Sequence, residues 1–568
     1  MAVALGATAT LALPSVYVYE MPARFNEDVL RAVVVAGDEW WHPTPAMLLN
    51  RGFGPRLDVG VDDDDVDEGG LYDSFPYALE LVLHQRLLAY SGRVHDPADA
   101  DLLWVPFYPT LSAIAHRKDR RALAENERAA LRWLREHAPR FSAEPHRHAL
   151  ALGKVPSEHL GEGSALYGSR WLLFRELASV NVLAIESDGG SQRLCAESAQ
   201  MRATLAAQAL GGFSRRQLHE PMAPLSDAER AHAADLALVL AQPDGERARA
   251  IDVCLVRHAL RARELSAARV WAIPYNGVYA YEGEPNASSA RTPPVPTADG
   301  LAPWPADAPF ERAARRLHPW EHARPRTLLA TFVGAERRNK LGLYVPQRVA
   351  AVQSCRAWAE RVAKAAELDD GGEPGWRVRV DGRVDAVEPD AAPNGQPPRA
   401  RDGGEPRARG GMSAARMPCV VEPRTDRRRI RHLYSRAVFC LQPPGDTATR
   451  SGIFDSIVSG CVPVLWSNET LAQYELHLPE PERVAVVVPA AHDDDALPWL
   501  AALLDGDAPR VERMREAIAR VAPRCQYSLL GGRPAGTPAG EPWDALEHAL
   551  AGIAARRCLR RSGRTPGT

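Results

Sequence analysis

The chain has 568 residues, with 69 Lys+Arg against 72 Asp+Glu and a formal charge of −3. Apolar residues make up 45% and charged residues 25%, which excludes a disordered or fibrous chain, and the length suits about three domains or two large ones. The near-neutral balance argues against a nucleic-acid binder, which carries a strong basic excess, but it leaves room for a local basic pocket that takes one phosphorylated ligand.

Taken in order, Met1–Pro14 is apolar, lacks a basic flank and falls short of the roughly 20 residues of a spanning helix. It reads either as the stub of a truncated signal anchor or as a plain tail. Val16–Glu20 is a β-branched and aromatic run and predicts a strand, followed by a helix over Phe25–Val34. Tyr77–Tyr90 has apolar residues at helical spacing. Asp101–Tyr108 is a short apolar run ended by Pro, as in a buried parallel strand. A helix over Glu125–His137 and strands over Ala149–Leu152, Val180–Ile185 and Val270–Ile273 follow. This alternation predicts an α/β fold. An Ala/Arg/Leu-rich insertion at about 189–268 interrupts it, and 282–325 is a Pro-rich linker.

Thr327–Val333 opens a second α/β unit. The stretch 366–418 is dominated by Gly, Pro, Asp and Arg and reads as a disordered surface insertion. The unit resumes with a strand at Ala437–Leu441, a helix from about Ser451 to Ser459, and strands at Val462–Trp466 and Val484–Val488. Helices over Arg510–Val521 and Trp543–Ile553 complete it. The expected layout is a tail to residue 14, a first unit over 15–281, the linker, a second unit over 326–540 and a C-terminal helix and tail over 541–568. In open α/β sheets ligands bind outside the carboxyl ends of the strands, so a cleft between the two units is the expected site.

Two segments carry chemistry. Phe439–Trp466 places a Pro-Pro-Gly loop between a buried strand and a helix, with Arg450 and Ser451 at the helix start and Asp455 one turn on. A helix start with a guanidinium beside it suits a phosphate, and Asp455 is placed to accept from a ribose hydroxyl pair. In Phe332–Asn339 a strand runs into Gly334, and Arg337, Arg338 and Lys340 follow at once. A solvated charge run and a capping Asp are the competing readings of the same residues. Jointly the loops read as a nucleotide-diphosphate half-site, and no Walker loop is present. Asp62–Asp65 reads as a surface loop, not a metal-binding carboxylate pair, because it ends no buried strand. Among the cysteines there is no C-x-x-C pair. Cys440 and Cys461 sit in apolar runs and read as buried thiols, with any disulfide pairing left open. Asn286 and Asn468 each begin a glycosylation sequon.

These strings, with YVYEMPARFNEDVL (Tyr17–Leu30), ADLLWVPFYPTL (Ala100–Leu111), LASVNVLAIES (Leu177–Ser187) and WAIPYNGVY (Trp271–Tyr279), resemble the exostosin-like glycosyltransferases, family 47 of the carbohydrate-enzyme classification. The plant xyloglucan galactosyltransferase subgroup is the most similar branch. The resemblance implies a GT-B fold, two Rossmann-like domains facing a cleft, and inverting transfer of a sugar from a UDP-sugar to a glycan hydroxyl. It implies Golgi residence, possible neighbours among Golgi glycosyltransferases, and no metal or other cofactor in the site. Galactose is the sugar the subgroup implies; xylose, arabinose and glucuronate occur in related branches. By matching position, Gly334, Arg337, Arg338, Arg450, Ser451 and Asp455 bind the donor. A general base is required on the acceptor side; Glu80 is the first candidate, with a helix-face salt bridge as its competing role, and His84 is the second. Glu20 and Glu186 end strands and are placed to line the acceptor cleft, while Asp101 reads as a structural cap. The alternative function is a non-catalytic partner or scaffold of an active transferase.

Overall fold

The computed structural model describes residues 13–36, 48–57, 70–159, 169–177, 179–187, 270–277, 279–281, 326–334, 345–368, 376–378, 384–386, 413–422, 427–444, 449–467, 469–529, 533, 537–538 and 540–561. Arg337, Arg338, Lys340, Asp62–Asp65, both sequon asparagines, the linker at 282–325 and the insertion at 189–268 lie outside them.

The first unit holds β1 (Val16–Val18), α1 (Glu27–Ala36), α2 (Leu79–Leu88), β2 (Arg93–Val94), β3 (Leu102–Trp104), α3 (Pro109–Ala115), α4 (Arg120–His137), β4 (His148–Leu152), β5 (Asn181–Ala184) and β6 (Val270–Ala272). Its sheet has the order β2-β1-β3-β4-β5-β6 and every pair is parallel. β3, β4 and β5 are buried at every position, as expected of strands covered on both faces. α4 starts where Asp119 accepts from the Arg121 and Ala122 amides, and it buries Leu123, Ala130, Leu131 and Leu134. Asp101 accepts from the Ser15 amide and hydroxyl at 3.0 and 2.9 Å, which ties the chain entry to the start of β3.

β7 (Ala280–Tyr281) leaves this unit. The second unit holds β8 (Leu328–Val333), α5 (Val345–Leu368), β9 (Trp376–Val378), β10 (Val384–Ala386), β11 (Cys419–Glu422), α6 (Arg427–Arg436), β12 (Ala437–Leu441), α7 (Gly452–Val458), β13 (Val462–Leu465), β14 (Val486–Val487), α8 (Ala496–Gly506), α9 (Ala508–Val521), β15 (Tyr527–Ser528) and α10 (Ala545–Arg561). Its sheet order is β11-β8-β12-β13-β14, again all parallel. This is a doubly wound order, with the chain reversing direction across the sheet between β8 and β12.

Two sequence expectations need correction here. The stretch 366–418 is not structureless throughout. Residues 366–368 end α5, β9 and β10 pair antiparallel, and Ala414 and Met417 are buried just ahead of β11. β11 and α6 escaped the sequence reading because both are short and flanked by Pro and Arg. Cys440 and Cys461 are buried but are not thiols: they form a disulfide, and a second joins Cys355 to Cys419.

The halves also meet directly. β15 of the second unit pairs parallel with β7, and α10 returns to the first unit. One apolar cluster accordingly includes Leu83 and Trp104 of the first unit, Phe454 and Tyr474 of the second, and Leu546 and Leu550 of α10. Among the described residues no helix is long and apolar enough to cross a membrane.

Candidate donor and acceptor site

β8 and β12 are neighbours, and the loops at their carboxyl ends come together. β8 runs into Gly334, whose φ of +154° disfavours a side chain, and a Cβ there would lie 2.7 Å from Nη2 of Arg450. Arg450 follows the β12 loop, and its Nη2 donates to the Val333 carbonyl at 2.6 Å. Its Cζ lies 5.1 Å from the centre of the Phe332 ring. The other terminal nitrogen, Nη1, is buried with no hydrogen-bond partner among the described residues. Burial lowers the Arg450 pKa from its ordinary value, opposed by Tyr434, Asp455 and Tyr275. A half-buried guanidinium whose buried nitrogen has an unused donor is completed by an anion.

α7 starts straight after Arg450 and Ser451. Ser451 is half-buried and makes no side-chain cap bond, while its carbonyl accepts from the Phe454 and Asp455 amides at 3.0 and 3.2 Å. Asp455 is 1% exposed. A Cβ on Gly277 of the first unit would sit 2.5 Å from its Oδ1, so the carboxylate lies on the seam between the units. Arg450, Ser451, Asp455 and Gly334 are thus brought together; Arg337 and Arg338 lie outside the described residues.

Across the seam the loops after β5 and β6 meet this cluster. Tyr474 donates to the Ile185 carbonyl at 2.7 Å, and its hydroxyl lies 3.3 Å from Thr449 Oγ1, which can donate to it. Ser187 N donates to Gln473 Oε1 at 2.8 Å. The Tyr275 hydroxyl donates to Glu186 Oε1 and stands 3.5 Å from Thr449 Oγ1. Burial first, and the Glu186 charge next, raise the Tyr275 pKa well above its ordinary value. Glu186 therefore reaches the donor-side loop through one tyrosine. Tyr275, Thr449, Gln473 and Tyr474 were not singled out from sequence. Tyr275 and Thr449 sit inside or beside strings that were, whereas Gln473 and Tyr474 carry no local signal.

Glu80 and His84, on α2, are placed differently. Glu80 Oε1 accepts from the Thr110 and Gly153 amides at 2.7 and 3.2 Å, and Oε2 accepts from the Leu111 amide at 3.1 Å. The carboxylate therefore caps α3 and holds the end of β4, and it is 1% exposed. Burial raises its pKa to about 7, against the lowering effect of these hydrogen bonds. It forms no ion pair among the described residues, so the salt-bridge alternative does not hold either. The His84 ring shares a 2.7 Å hydrogen bond with the Tyr108 hydroxyl, and burial, then Arg93, lowers its pKa to about 4. Both side chains make their hydrogen bonds inside the first unit, and neither joins the Arg450 cluster.

The chain matches the model of the exostosin GT47 domain over residues 12–173 and 405–502, which include α2, β3, α7 and the Arg450 loop. Among curated proteins it is similar to two Arabidopsis thaliana proteins, the probable xyloglucan galactosyltransferases GT19 and GT20. It is 39% identical to the first over 97 residues, 16% of this chain and 22% of that protein. It is 47% identical to the second over 66 residues, 11% of this chain and 12% of that protein. Xyloglucan galactosyltransferase MUR3 from the same plant is 34% identical over 105 residues, 17% of this chain and 16% of that protein. The matched stretches thus span less than a quarter of these relatives.

Proposed function

Because the chain is an exostosin-like member of the GT47 family, we propose that it transfers a sugar from a UDP-sugar to a hydroxyl of a cell-wall glycan, with inversion at the anomeric carbon. The observation that carries this reading is the buried Nη1 of Arg450, without a partner among the described residues and set where the strand-end loops of β8 and β12 meet. Ligands in doubly wound sheets bind at such a point. Arg450 takes the diphosphate, joined by Arg337 or Arg338; Gly334 keeps the backbone close, and Ser451 lies beside it. Asp455, at the seam beside Gly277, accepts from a ribose hydroxyl. Guanidinium charge on the departing UDP makes a general acid unnecessary. The base belongs to the first unit, and Glu186 at the seam is better placed for it than Glu80, which holds backbone amides.

Galactose is the preferred donor sugar, after the names of the relatives. No metal is needed in this scheme, so EDTA should leave turnover intact; complete loss would favour a metal-dependent enzyme. The two disulfides suit an oxidising lumen such as the Golgi. The test is UDP release from a panel of UDP-sugars with and without acceptor glycans. Release stimulated by a glycan supports the transferase, whereas UDP binding without turnover identifies a scaffold.

A further inference from the structure

A pocket of about 200 Å3 opens on the first unit, lined by Tyr17, Tyr19, Glu20, Trp133, His137 and Arg140 among others. Its walls are aromatic rings in mutual contact. Tyr17 and Tyr19 meet edge to face at 5.2 Å, Tyr19 and Trp133 at 6.3 Å, and Trp133 stacks on His137 at 5.2 Å with an interplanar angle of 11°. Tyr19 is the fixed base of the stack: it is buried, and its hydroxyl bonds His148 Nε2 at 2.9 Å. Tyr17 and Trp133 are half-buried and His137 is exposed, so ring surface remains open to a ligand. Glu20 is exposed, and Arg140 lies 3.5 Å from the Glu144 carboxylate.

The charges around the two tyrosines balance, Glu20, Asp96 and Glu144 against Arg93, Arg140 and Arg147, which disfavours a strongly charged ligand. Part-exposed aromatic rings beside one hydrogen-bond acceptor and one donor suit a polyhydroxyl ring, whose C–H face packs on them while its hydroxyls bond. We propose that this pocket binds an uncharged sugar residue of the acceptor glycan, remote from the residue that reacts. The identity of the ligand rests on the transferase reading. Between β1, which carries Tyr17, and β5, which leads to Glu186, stand β3 and β4. Three strand spacings are roughly 14 Å, so the bound sugar is a separate unit of the chain or a branch.

The experiment is calorimetric or saturation-transfer NMR titration of the full chain, held in saturating UDP, with uncharged xyloglucan and cello-oligosaccharides. Trp133→Ala and Tyr17→Ala should each weaken saccharide binding at least tenfold and leave UDP affinity unchanged. Glu20→Gln, an exposed change that leaves the fold alone, should weaken it severalfold. In turnover, KM for long acceptors should rise while kcat holds. Wild-type saccharide affinity in all three variants, no saccharide binding by the wild type, or selection for charged oligosaccharides would each overturn the pocket. Saccharide binding that depends on these residues, in a protein that turns over no UDP-sugar, would overturn the transferase reading and leave the pocket standing.

Discussion

Arg450 shows how a residue announces itself in sequence and is explained only in space. Its type and its place before a helix are visible in the string; that one of its nitrogens is buried without a partner among the described residues is not. Arg450→Ala should abolish turnover and weaken UDP by roughly 1.5–3 kcal/mol, the size of a charge-assisted hydrogen bond; unchanged affinity in calorimetry would remove it from the site. Gly334→Ala should act on the same bond from the other side. A Cβ would meet Arg450 Nη2 at 2.7 Å, and the positive φ adds strain of roughly 1–3 kcal/mol. Lower thermal stability together with weaker UDP binding is the expected result. Glu80 was legible as an acid on an apolar helix, but the amides that surround it come from α3 and from Gly153 just past β4, far along the chain. Its folded pKa of about 7 lies above the ordinary 4.5. Its contribution to stability is therefore complete below about pH 4.5 and disappears as pH rises through about 7, a change of about 3 kcal/mol. Buried His148, His159 and His477 have lowered pKa values and act oppositely, losing their contribution as pH falls. The difference between wild type and Glu80→Gln in urea titrations across this window isolates the carboxyl; a pH-independent difference would refute its raised pKa.

At the scale of the element, strands were legible where burial on both faces makes the run continuously apolar. β8 is buried at all six positions and β12 at all five, and both were read close to their true bounds. β11 has the same burial, yet four residues after a Gly/Pro/Arg-rich stretch give too little pattern to read. The disulfides were not legible, because pairing depends on which elements become neighbours. Cys355 of α5 reaches Cys419 of β11 across 64 residues, and Cys440 of β12 reaches Cys461 ahead of β13 across 21. Loop-closure entropy gives roughly 4 kcal/mol for the longer link and roughly 3 for the shorter. Chemical denaturation of Cys355→Ala/Cys419→Ala and Cys440→Ala/Cys461→Ala double variants should show losses of that order, the larger for the first pair.

At the scale of the molecule, the two units are locked by a buried charge cluster that no local pattern suggests. Arg86 of α2 binds Asp544 through Nε and Glu547 of α10 through Nη2, both at 2.7 Å. All three side chains are at most 2% exposed. Burial works against the charge on Arg86, yet the two carboxylates win and hold its pKa above the ordinary value. Arg533 adds a contact to Glu547 at 2.7 Å. Arg86→Ala would leave Asp544 without its cation and Glu547 with Arg533 alone, a loss of about 3–5 kcal/mol, and should release α10 from the first unit. Hydrogen exchange should then rise in α10 and α2 while β8 and β12 stay protected; equal loosening everywhere would argue that the cluster is not an interdomain lock.

The sequence by itself determined the α/β alternation, the two parallel units and the loop that carries Arg450, because these follow from local hydrophobic pattern and from residue type at a strand end. The tertiary structure alone decided the cysteine pairing, the backbone duty of Glu80, the meeting of Glu186 with Thr449 through Tyr275 and the Arg86 lock. Each of those joins residues brought together by packing, and a linear pattern holds no record of which distant side chains will share one buried space.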